Sequence, residues 1–590
     1  MKLSFPQRGG LGRLSVLGVV VGLVTGAGAV LFRDLIGLIH NLAFEGRFAV
    51  AYDANVFSPP SPWGMFIILV PVVGALCVTF LIVNFAPEAR GHGVPEVMDA
   101  IYYQEGVIRP IVAIIKSLAS AISIGTGAAI GREGPIIQIG SSLASTLGQI
   151  IPMPPWQRIT LVAAGAGAGI AATFNTPIGG VMFAVELMLP EVSARTFLPV
   201  ALATGAATFV GRLFFGWHPA FDVPSSLVVD RPATLMALLI YALLGALAGL
   251  AATAFIRGIE TADEMFDRIS NPYVRHGIGM LSIGVLIYVL HRSAGHYFVE
   301  GVGYSTIEAI LKTDLTAPAF LLILFVAKLY ATSVSLGSGA SGGIFSPSLF
   351  MGATLGASIG AAASTLAPQA GVDAPTAAIV GMAAVVGGGT GAAMTAVTML
   401  FEMTRDYGLV MPNIIAVALA IGVRRLLSRE SIYTAKLTGR RHFIPEALHA
   451  NMFLVRHANQ VMERDVIIAP AETDFGDFLR VPEHAGKMKH VVVTKDGRII
   501  GCLRVNMALR PGVEGAYTGL KLGAVAHRKF ILAGEEDIVF DIVTRMARRK
   551  AVMAIIASGA RRPRAEHVVG VLSREHLGDA VIESIRPFGE

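Results

Sequence analysis

Cysteine and charge are both scarce in this sequence of 590 residues. Only Cys77 and Cys502 are present, which excludes a disulfide framework and a cysteine-based metal cluster. Charged residues make up 15% of the chain and hydrophobic residues 54%, whereas soluble domains carry roughly 25% charged residues. The net charge of +6 is modest and its basic residues are scattered, which argues against nucleic-acid binding. The composition therefore indicates a membrane protein with a soluble portion near the C-terminus, where the charges concentrate.

The apolar region also lacks the residue sets that enzymes use. We find no nucleophile–base set, metal-ligand cluster or phosphate loop in it. The sequence therefore predicts no enzyme activity and no cofactor. A membrane-bound enzyme or a receptor remains a remote alternative.

Apolar segments recur along the chain from about 14–32 to 409–423. A spanning helix needs about 20 apolar residues, and several of these segments are shorter and interrupted by Gly and Pro. Short, interrupted segments in matching positions of two halves are typical of transporters built from broken helices. Basic residues at Lys2, Arg8 and Arg13 precede the first segment. They predict a cytoplasmic N-terminus over residues 1–13.

One charged stretch, residues 131–135 (Gly-Arg-Glu-Gly-Pro), lies inside the apolar region. An ionisable residue at such a depth is costly, and its default interpretation is functional. The glycines and Pro135 indicate a chain break followed by a helix N-terminus, which is a site for anions. Glu133 could occupy the place of a mobile anion and then swing away. The alternative is a glutamate paired with Arg132 at a membrane surface.

The two halves of the apolar region correspond. Residues 343–347 (Gly-Ile-Phe-Ser-Pro) in the second half match residues 131–135 in the first, and Glu402 ends an apolar run much as Glu186 does. We predict a membrane domain over 14–435 with repeats at about 14–215 and 234–425, inverted by analogy with known transporters.

The tail, residues 436–590, has a different character, with a higher charge density. Strand, turn and strand patterns near 491–501 and 552–573, flanked by helical patterns, predict two small α/β modules at about 455–510 and 520–585.

Four features now coincide: residues 91–95 (Gly-His-Gly-Val-Pro), residues 131–135, residues 343–347, and Tyr433 after the last apolar segment. In order and spacing they closely resemble the CLC family of chloride channels and proton-coupled chloride transporters, of bacterial type. The tail resembles a tandem pair of cystathionine-β-synthase-type (CBS) domains. The resemblance implies an all-α polytopic membrane domain of inverted repeats followed by an α/β CBS pair. It also implies a homodimer in a lipid bilayer, multi-pass in the bacterial inner membrane, with both termini cytoplasmic.

The resemblance also assigns roles to individual positions. Glu133 matches the gating glutamate of the family. The positions expected to hold the anion are His92, Gly93, Arg132, Gly134, Ile344, Phe345 and Tyr433. The expected partners are chloride or other small anions, and protons.

Two positions depart from the family pattern. The family usually has Ser where this chain has His92, which opens the question of anion selectivity; the imidazole is expected to be neutral at rest because burial opposes its charged form. At the inner proton site the chain has Leu187, and leucine cannot carry a proton. Glu186, next to it, could substitute or could be a structural acid at a helix end.

The departure at Leu187 favours passive chloride conduction, gated by Glu133 and modulated by pH. A proton-coupled chloride antiporter is the alternative, because Glu133 alone could still exchange protons. In the tail, Met507 and His576 stand where nucleotide-binding CBS domains carry Asp. Their presence favours a regulatory or dimer-stabilising role over adenine-nucleotide binding.

Overall fold

The computed structural model describes residues 10–221, 234–440, 442, 444, 456–480, 489–505, 519–558 and 564–573. The chain divides into two compact units, residues 1–444 and 445–590. The first unit is helical, and the second contains the β-strands found among the described residues.

Eight α-helices lie within the described residues 10–221, in the first half of the helical unit. They are α1 (Gly10–His40), α2 (Val70–Phe85), α3 (Val94–Tyr103), α4 (Ile111–Gly125), α5 (Glu133–Ile150), α6 (Pro155–Phe174), α7 (Pro177–Phe183) and α8 (Ala194–Phe215).

The second half repeats this order. Its helices are α9 (Leu235–Asp267), α10 (Pro272–Ala294), α11 (Tyr304–Leu311), α12 (Pro318–Ser338), α13 (Phe345–Leu366), α14 (Ala374–Thr390), α15 (Ala393–Thr404) and α16 (Val410–Leu427), followed by α17 (Ile432–Gly439).

The two halves pack their helices in the same way. Helix α1 lies on α8 as α9 lies on α16, and α5 lies on α6 as α13 lies on α14. Glycines allow the close approach of these pairs: a Cβ on Gly140 of α5 would lie 2.4 Å from the Gly165 oxygen of α6. In the other half, a Cβ on Gly352 of α13 would lie 2.3 Å from the Gly381 oxygen of α14. The halves thus share both helix order and packing.

Within the described ranges, eight helical segments are long and apolar enough to cross a membrane, and α4, α14 and α15 are shorter apolar helices. Helix α7 is also short and continues as a π-helical turn, Ala184–Met188. The prediction of a polytopic domain with interrupted helices is therefore confirmed.

The C-terminal unit contains two modules with one topology. The first has α18 (Ala458–Val461), β1 (Val466–Pro470), α19 (Phe475–Arg480), β2 (Lys489–Lys495) and β3 (Arg498–Val505). The second has, in chain order, α20 (Leu522–Val525), β4 (Phe530–Gly534), α21 (Val539–Arg548), β5 (Met553–Ala557) and β6 (Val568–Ser573). In space the two short helices are exchanged: α18 packs against the sheet of the second module and α20 against the sheet of the first. In each sheet the first strand pairs in parallel with the second, and the second pairs antiparallel with the third.

These modules confirm the predicted strand pairs and add a strand, β1 or β4, that the sequence patterns did not reveal. Burial raises the pKa of the Cys502 thiol in β3 to about 11, so this cysteine is neutral and unreactive near pH 7. Met507 and His576, on which the nucleotide prediction rests, lie outside the described residues.

Candidate anion and proton site

Backbone hydrogen bonds join the loops that precede α3, α5 and α13. The N–H of Gly131 donates to the Gly343 oxygen at 2.7 Å, and the N–H of Gly343 donates to the Gly131 oxygen at 2.6 Å. The N–H of Gly91 donates to Ala340 at 3.1 Å, and Gly342 donates back to Gly91 at 3.2 Å. The three sequence motifs therefore meet at one place, and each leads into a helix N-terminus. Helix N-termini carry unpaired N–H groups and favour negative charge.

Glu133 is the first residue of α5, and none of its surface is exposed. Its Oε2 accepts the backbone N–H of Ser346, in the first turn of α13, at 3.2 Å. Its Oε1 accepts hydrogen bonds from the Ser346 hydroxyl at 2.5 Å and from the Tyr304 hydroxyl. The carboxylate thus occupies a position at the helix N-termini where a small anion would find the same donors.

His92 and Tyr433 lie next to each other beside this point. Their rings are 6.0 Å apart between centroids, and both side chains are buried. The Nδ1 atom of His92 is enclosed and has no hydrogen-bond partner among the described residues. A buried polar atom without a partner calls for an explanation such as an ion or water. Contact between His92 and an anion stays a prediction, and this enclosed atom without a partner is a reason for it.

Gly93 and Gly134 bring the backbones of α3 and α5 together. A Cβ on Gly134 would lie 2.1 Å from the His92 oxygen and 2.9 Å from the Gly343 Cα. Glycine is therefore required at position 134, because backbone atoms on both sides leave no room for a side chain. Ile344 and Phe345 stand at the start of α13, so their N–H groups belong to the same helix terminus that contacts Glu133.

A cavity of about 260 Å³ reaches the site at Arg132. Arg33, Asp53 and Phe174 also line it. The Arg132 guanidinium lies 5.3 Å from the centre of the Tyr304 ring, rather than against the Glu133 carboxylate. This position suits a charge that draws anions into the cavity. Direct contact between Arg132 and an anion stays a prediction.

A second cavity, of about 530 Å³, reaches the site at Gly91 and His92. Its walls carry both signs of charge. Arg440 donates two hydrogen bonds to Glu96, at 2.8 and 2.9 Å, and Lys436 lies 3.3 Å from the same carboxylate. The two cavities give solvent access to the Arg132 and His92 ends of the cluster.

Glu186 and Glu402 cap helices in opposite halves of the unit. Glu186, in the turn that extends α7, accepts the N–H groups of Met394 and Thr395 at the start of α15. Glu402, near the end of α15, accepts the N–H groups of Ile178 and Gly179 at the start of α7. Each carboxylate thus caps the start of the helix that leads to the other carboxylate. Glu186 has the contacts of a structural acid, the second of the two alternatives that its sequence position left open.

Replacing Glu186 with alanine should lower stability and leave proton transport in proportion to anion transport. Its removal leaves N–H groups of α15 without an acceptor, which costs about 1–3 kcal/mol. Thermal unfolding of the purified variant measures this loss. Glu402→Ala is the matched control and should behave alike. A stable Glu186→Ala protein with selectively reduced proton flux would make Glu186 a proton carrier instead.

Sequence reasoning missed four residues of this region. Tyr304 and the hydroxyl of Ser346 contact Glu133, and they were not singled out. Two buried lysines were missed as well: Lys116 donates to the Ala89 and Gly91 oxygens, and Lys328 donates to the Val299 and Gly301 oxygens.

These lysines hold the loops that lead into α3 and α11. A signal for them existed, since each is a lone charge in an apolar helix and they occupy matching positions in the two halves. Residues 301–303 (Gly-Val-Gly) likewise repeat the spacing of residues 91–93 (Gly-His-Gly), which would have directed attention to Tyr304.

Tyr433→Phe should weaken anion binding modestly. The change removes one neutral hydroxyl, worth about 0.5–1.5 kcal/mol, or roughly a two- to twelvefold change in affinity. Anion titration of the purified protein by calorimetry measures it. An unfolded variant would instead mark Tyr433 as a packing residue of α17.

The family model for voltage-gated chloride channels matches residues 74–425. The H(+)/Cl(-) exchange transporter ClcA of Salmonella agona (strain SL483) is 31% identical over 429 residues, covering 71% of this chain and 87% of that protein. The crystal structure of a slow cyanobacterial Cl-/H+ antiporter matches with a TM-score of 0.65 and 25% identity, over 74% of this chain and 99% of its own.

A eukaryotic CLC transporter structure is similar over 96% of this chain and 98% of its own, with a TM-score of 0.60 and 20% identity. That likeness concerns the fold alone. Because it covers almost the whole chain, it extends to the C-terminal unit.

Proposed function

Because the chain belongs to the voltage-gated chloride channel (CLC) family, we propose that it exchanges chloride for protons across a membrane. The relatives at 31% identity are named as H(+)/Cl(-) exchange transporters. They favour the antiporter alternative over the passive channel that Leu187 suggested.

One observation carries the proposal: the Glu133 carboxylate is buried at the N-terminus of α13, hydrogen-bonded to the N–H of Ser346. A carboxylate and an anion compete for such donors. Protonation removes the charge of Glu133. The carboxyl group then competes less well for these N–H donors, and chloride binds there instead. Proton binding and anion binding are thereby linked at one position, which is the physical requirement for exchange.

The neighbouring groups take supporting roles in this proposal. His92 and Tyr433 contact the anion at the far end of the cluster, and the N–H groups at Gly134, Ile344 and Phe345 add donors without a full positive charge. Such weak sites allow an ion to leave as well as enter. Arg132 attracts anions to the cavity of about 260 Å³.

The route of the proton on the His92 side differs from the family pattern. Leu187 cannot titrate, and Glu186 is engaged with the start of α15. We assign this part of the route to the cavity of about 530 Å³ that reaches His92, whose Nδ1 has no partner within the part of the chain that the structure describes.

The test uses purified protein in lipid vesicles with a chloride gradient, no pH gradient and the voltage clamped by potassium and valinomycin. An exchanger drives protons uphill as chloride runs down, with a fixed ratio. A chloride electrode and an external pH electrode record both fluxes together. Chloride movement without uphill proton movement would establish the second candidate, a passive channel, for which Leu187 and the engaged Glu186 are the specific observations.

The remaining predictions extend the proposal. We propose a homodimer with one pathway in each subunit, located in a bacterial inner membrane with both termini in the cytoplasm. The CBS pair is proposed to act in regulation or dimer stability.

A further inference from the structure

One oxygen of the Glu133 carboxyl group and two hydroxyl oxygens form a closed triangle, in which each atom lies within hydrogen-bonding distance of the other two. Glu133 Oε1 and Tyr304 Oη are hydrogen-bonded, Ser346 Oγ lies 2.5 Å from Glu133 Oε1, and the two hydroxyl oxygens are 2.8 Å apart. All three residues are buried, with at most 2% of their surface exposed. We call this arrangement the hydroxyl triangle.

Counting protons shows what the hydroxyl triangle can hold. Each hydroxyl has a single proton to donate. When Glu133 is ionised, both hydroxyls donate to the carboxylate, and the 2.8 Å contact between Tyr304 and Ser346 has no proton in it. When Glu133 carries a proton on Oε1, three O–H groups are available for three contacts. Each group then donates to the next around the ring, from Glu133 to Ser346, from Ser346 to Tyr304, and from Tyr304 to Glu133.

The Tyr304 hydroxyl is held in place by the packing of its ring. Phe221 meets the ring edge-on at 5.3 Å, Phe174 lies at 6.4 Å, and the Arg132 guanidinium lies over one face. Arg132 and Phe174 also line the cavity of about 260 Å³. The hydroxyl triangle therefore lies directly behind one wall of that cavity.

We propose that Tyr304 and Ser346 form, with Glu133, a site that holds the carboxyl group in place after it has taken up a proton. This inference rests on the proposed role of Glu133 as the exchanging carboxyl. The proton comes from water and stays on Glu133, while each hydroxyl keeps its own. Protonation of Glu133 and movement of its side chain out of the site are then two separate steps, and the hydroxyls slow the second step. Tyr304 and Ser346 are positioning residues that act through Glu133.

Glutamine and alanine at position 133 provide the test. Glutamine is uncharged like the protonated carboxyl group and keeps an oxygen that accepts hydrogen bonds from the two hydroxyls, whereas alanine offers them nothing. We expect Tyr304→Phe to raise chloride flux in the Glu133→Gln protein by roughly two- to twelvefold, the equivalent of one neutral hydrogen bond. In the Glu133→Ala protein the same change should have no effect. Ser346→Ala provides an independent second variant with the same expectation.

Matched controls separate this effect from a general loosening of the fold. Tyr241 is also a buried tyrosine, and its hydroxyl reaches Thr376. Ser348 is a buried serine next to Pro347, and its hydroxyl donates to the carbonyl oxygen of the residue that caps the start of the same helix. Tyr241→Phe and Ser348→Ala should leave chloride flux unchanged in both backgrounds. Size-exclusion profiles verify that each variant is folded.

In the protein that retains Glu133, the pH dependence of chloride flux distinguishes a site that holds the protonated carboxyl group from one that holds only the ionised carboxylate. If the hydroxyls hold the protonated group, Tyr304→Phe raises chloride flux at low pH as well as at neutral pH. If they bind only the ionised group, flux at low pH is unchanged and the proposal is overturned. Equal effects of Tyr304→Phe in the glutamine and alanine backgrounds would overturn it too. The expected chloride fluxes do not depend on whether the wild-type protein moves protons. Failure of this inference can therefore be distinguished from failure of the proposed exchange.

Discussion

Replacing Glu133 with glutamine should abolish proton movement while chloride transport continues at every pH. The amide cannot release a proton, so the link between proton and anion is lost. Proton flux should fall by about a hundredfold or more, the usual contribution of a positioned acid–base group. Chloride flux should lose its dependence on pH, apart from any contribution of His92. Parallel chloride and pH recordings from the same vesicles measure both effects.

Glu402→Gln is a suitable control for this change, because Glu402 is a carboxylate of the helical unit that likewise accepts helix N–H groups, although it is only partly buried. It should keep the wild-type ratio of protons to chloride. Unchanged pH dependence and unchanged proton flux in Glu133→Gln would show that Glu133 is not the exchanging group.

Gly134→Ala should eliminate transport or folding. The added Cβ would lie 2.1 Å from the His92 oxygen and 2.9 Å from the Gly343 Cα, and neither contact can be relieved by turning a side chain. Overpacking costs about 1–3 kcal/mol and more when the backbone cannot shift, which lowers the ratio of folded to unfolded protein by roughly five- to 160-fold. Flux in vesicles and the yield of folded protein measure the outcome.

Gly205→Ala is the matched control, since a Cβ there meets no atom within 4 Å in the described structure. It should transport normally, because alanine favours the helix over glycine by about 0.5–1 kcal/mol. Normal flux in Gly134→Ala would mean that the loops at His92 and Gly343 do not maintain the site.

The local part of the site was predictable from sequence, because its information is local. A charged pair between glycines and ahead of a proline indicates a helix N-terminus in the membrane, and α5 does begin at Glu133. The matching stretch at residues 343–347 starts α13 in the same way. The pairing of these two stretches also predicted that the two halves of the membrane domain correspond.

Contacts between distant residues were not predictable. Tyr304 is 171 positions from Glu133. The Gly-Val-Gly spacing at residues 301–303 marks its position in the repeat, but it does not say that the hydroxyl reaches that carboxylate. The choice between two roles for Glu186 stayed open for the same reason, since its partners in α15 are more than 200 positions away. The channel prediction relied on Leu187 alone, and the absence of one acid does not exclude proton passage by another route.

The exchange of caps between Glu186 and Glu402 has a consequence for biosynthesis. The acceptor is made first: Glu186 leaves the ribosome 208 residues before Met394. At about 5–20 residues per second, this interval lasts roughly 10–40 seconds. During that time the first half, already entering the bilayer, has an ionisable side chain and the open start of α7 without their final partners. The first half therefore cannot complete these two helix caps before the second half has been made.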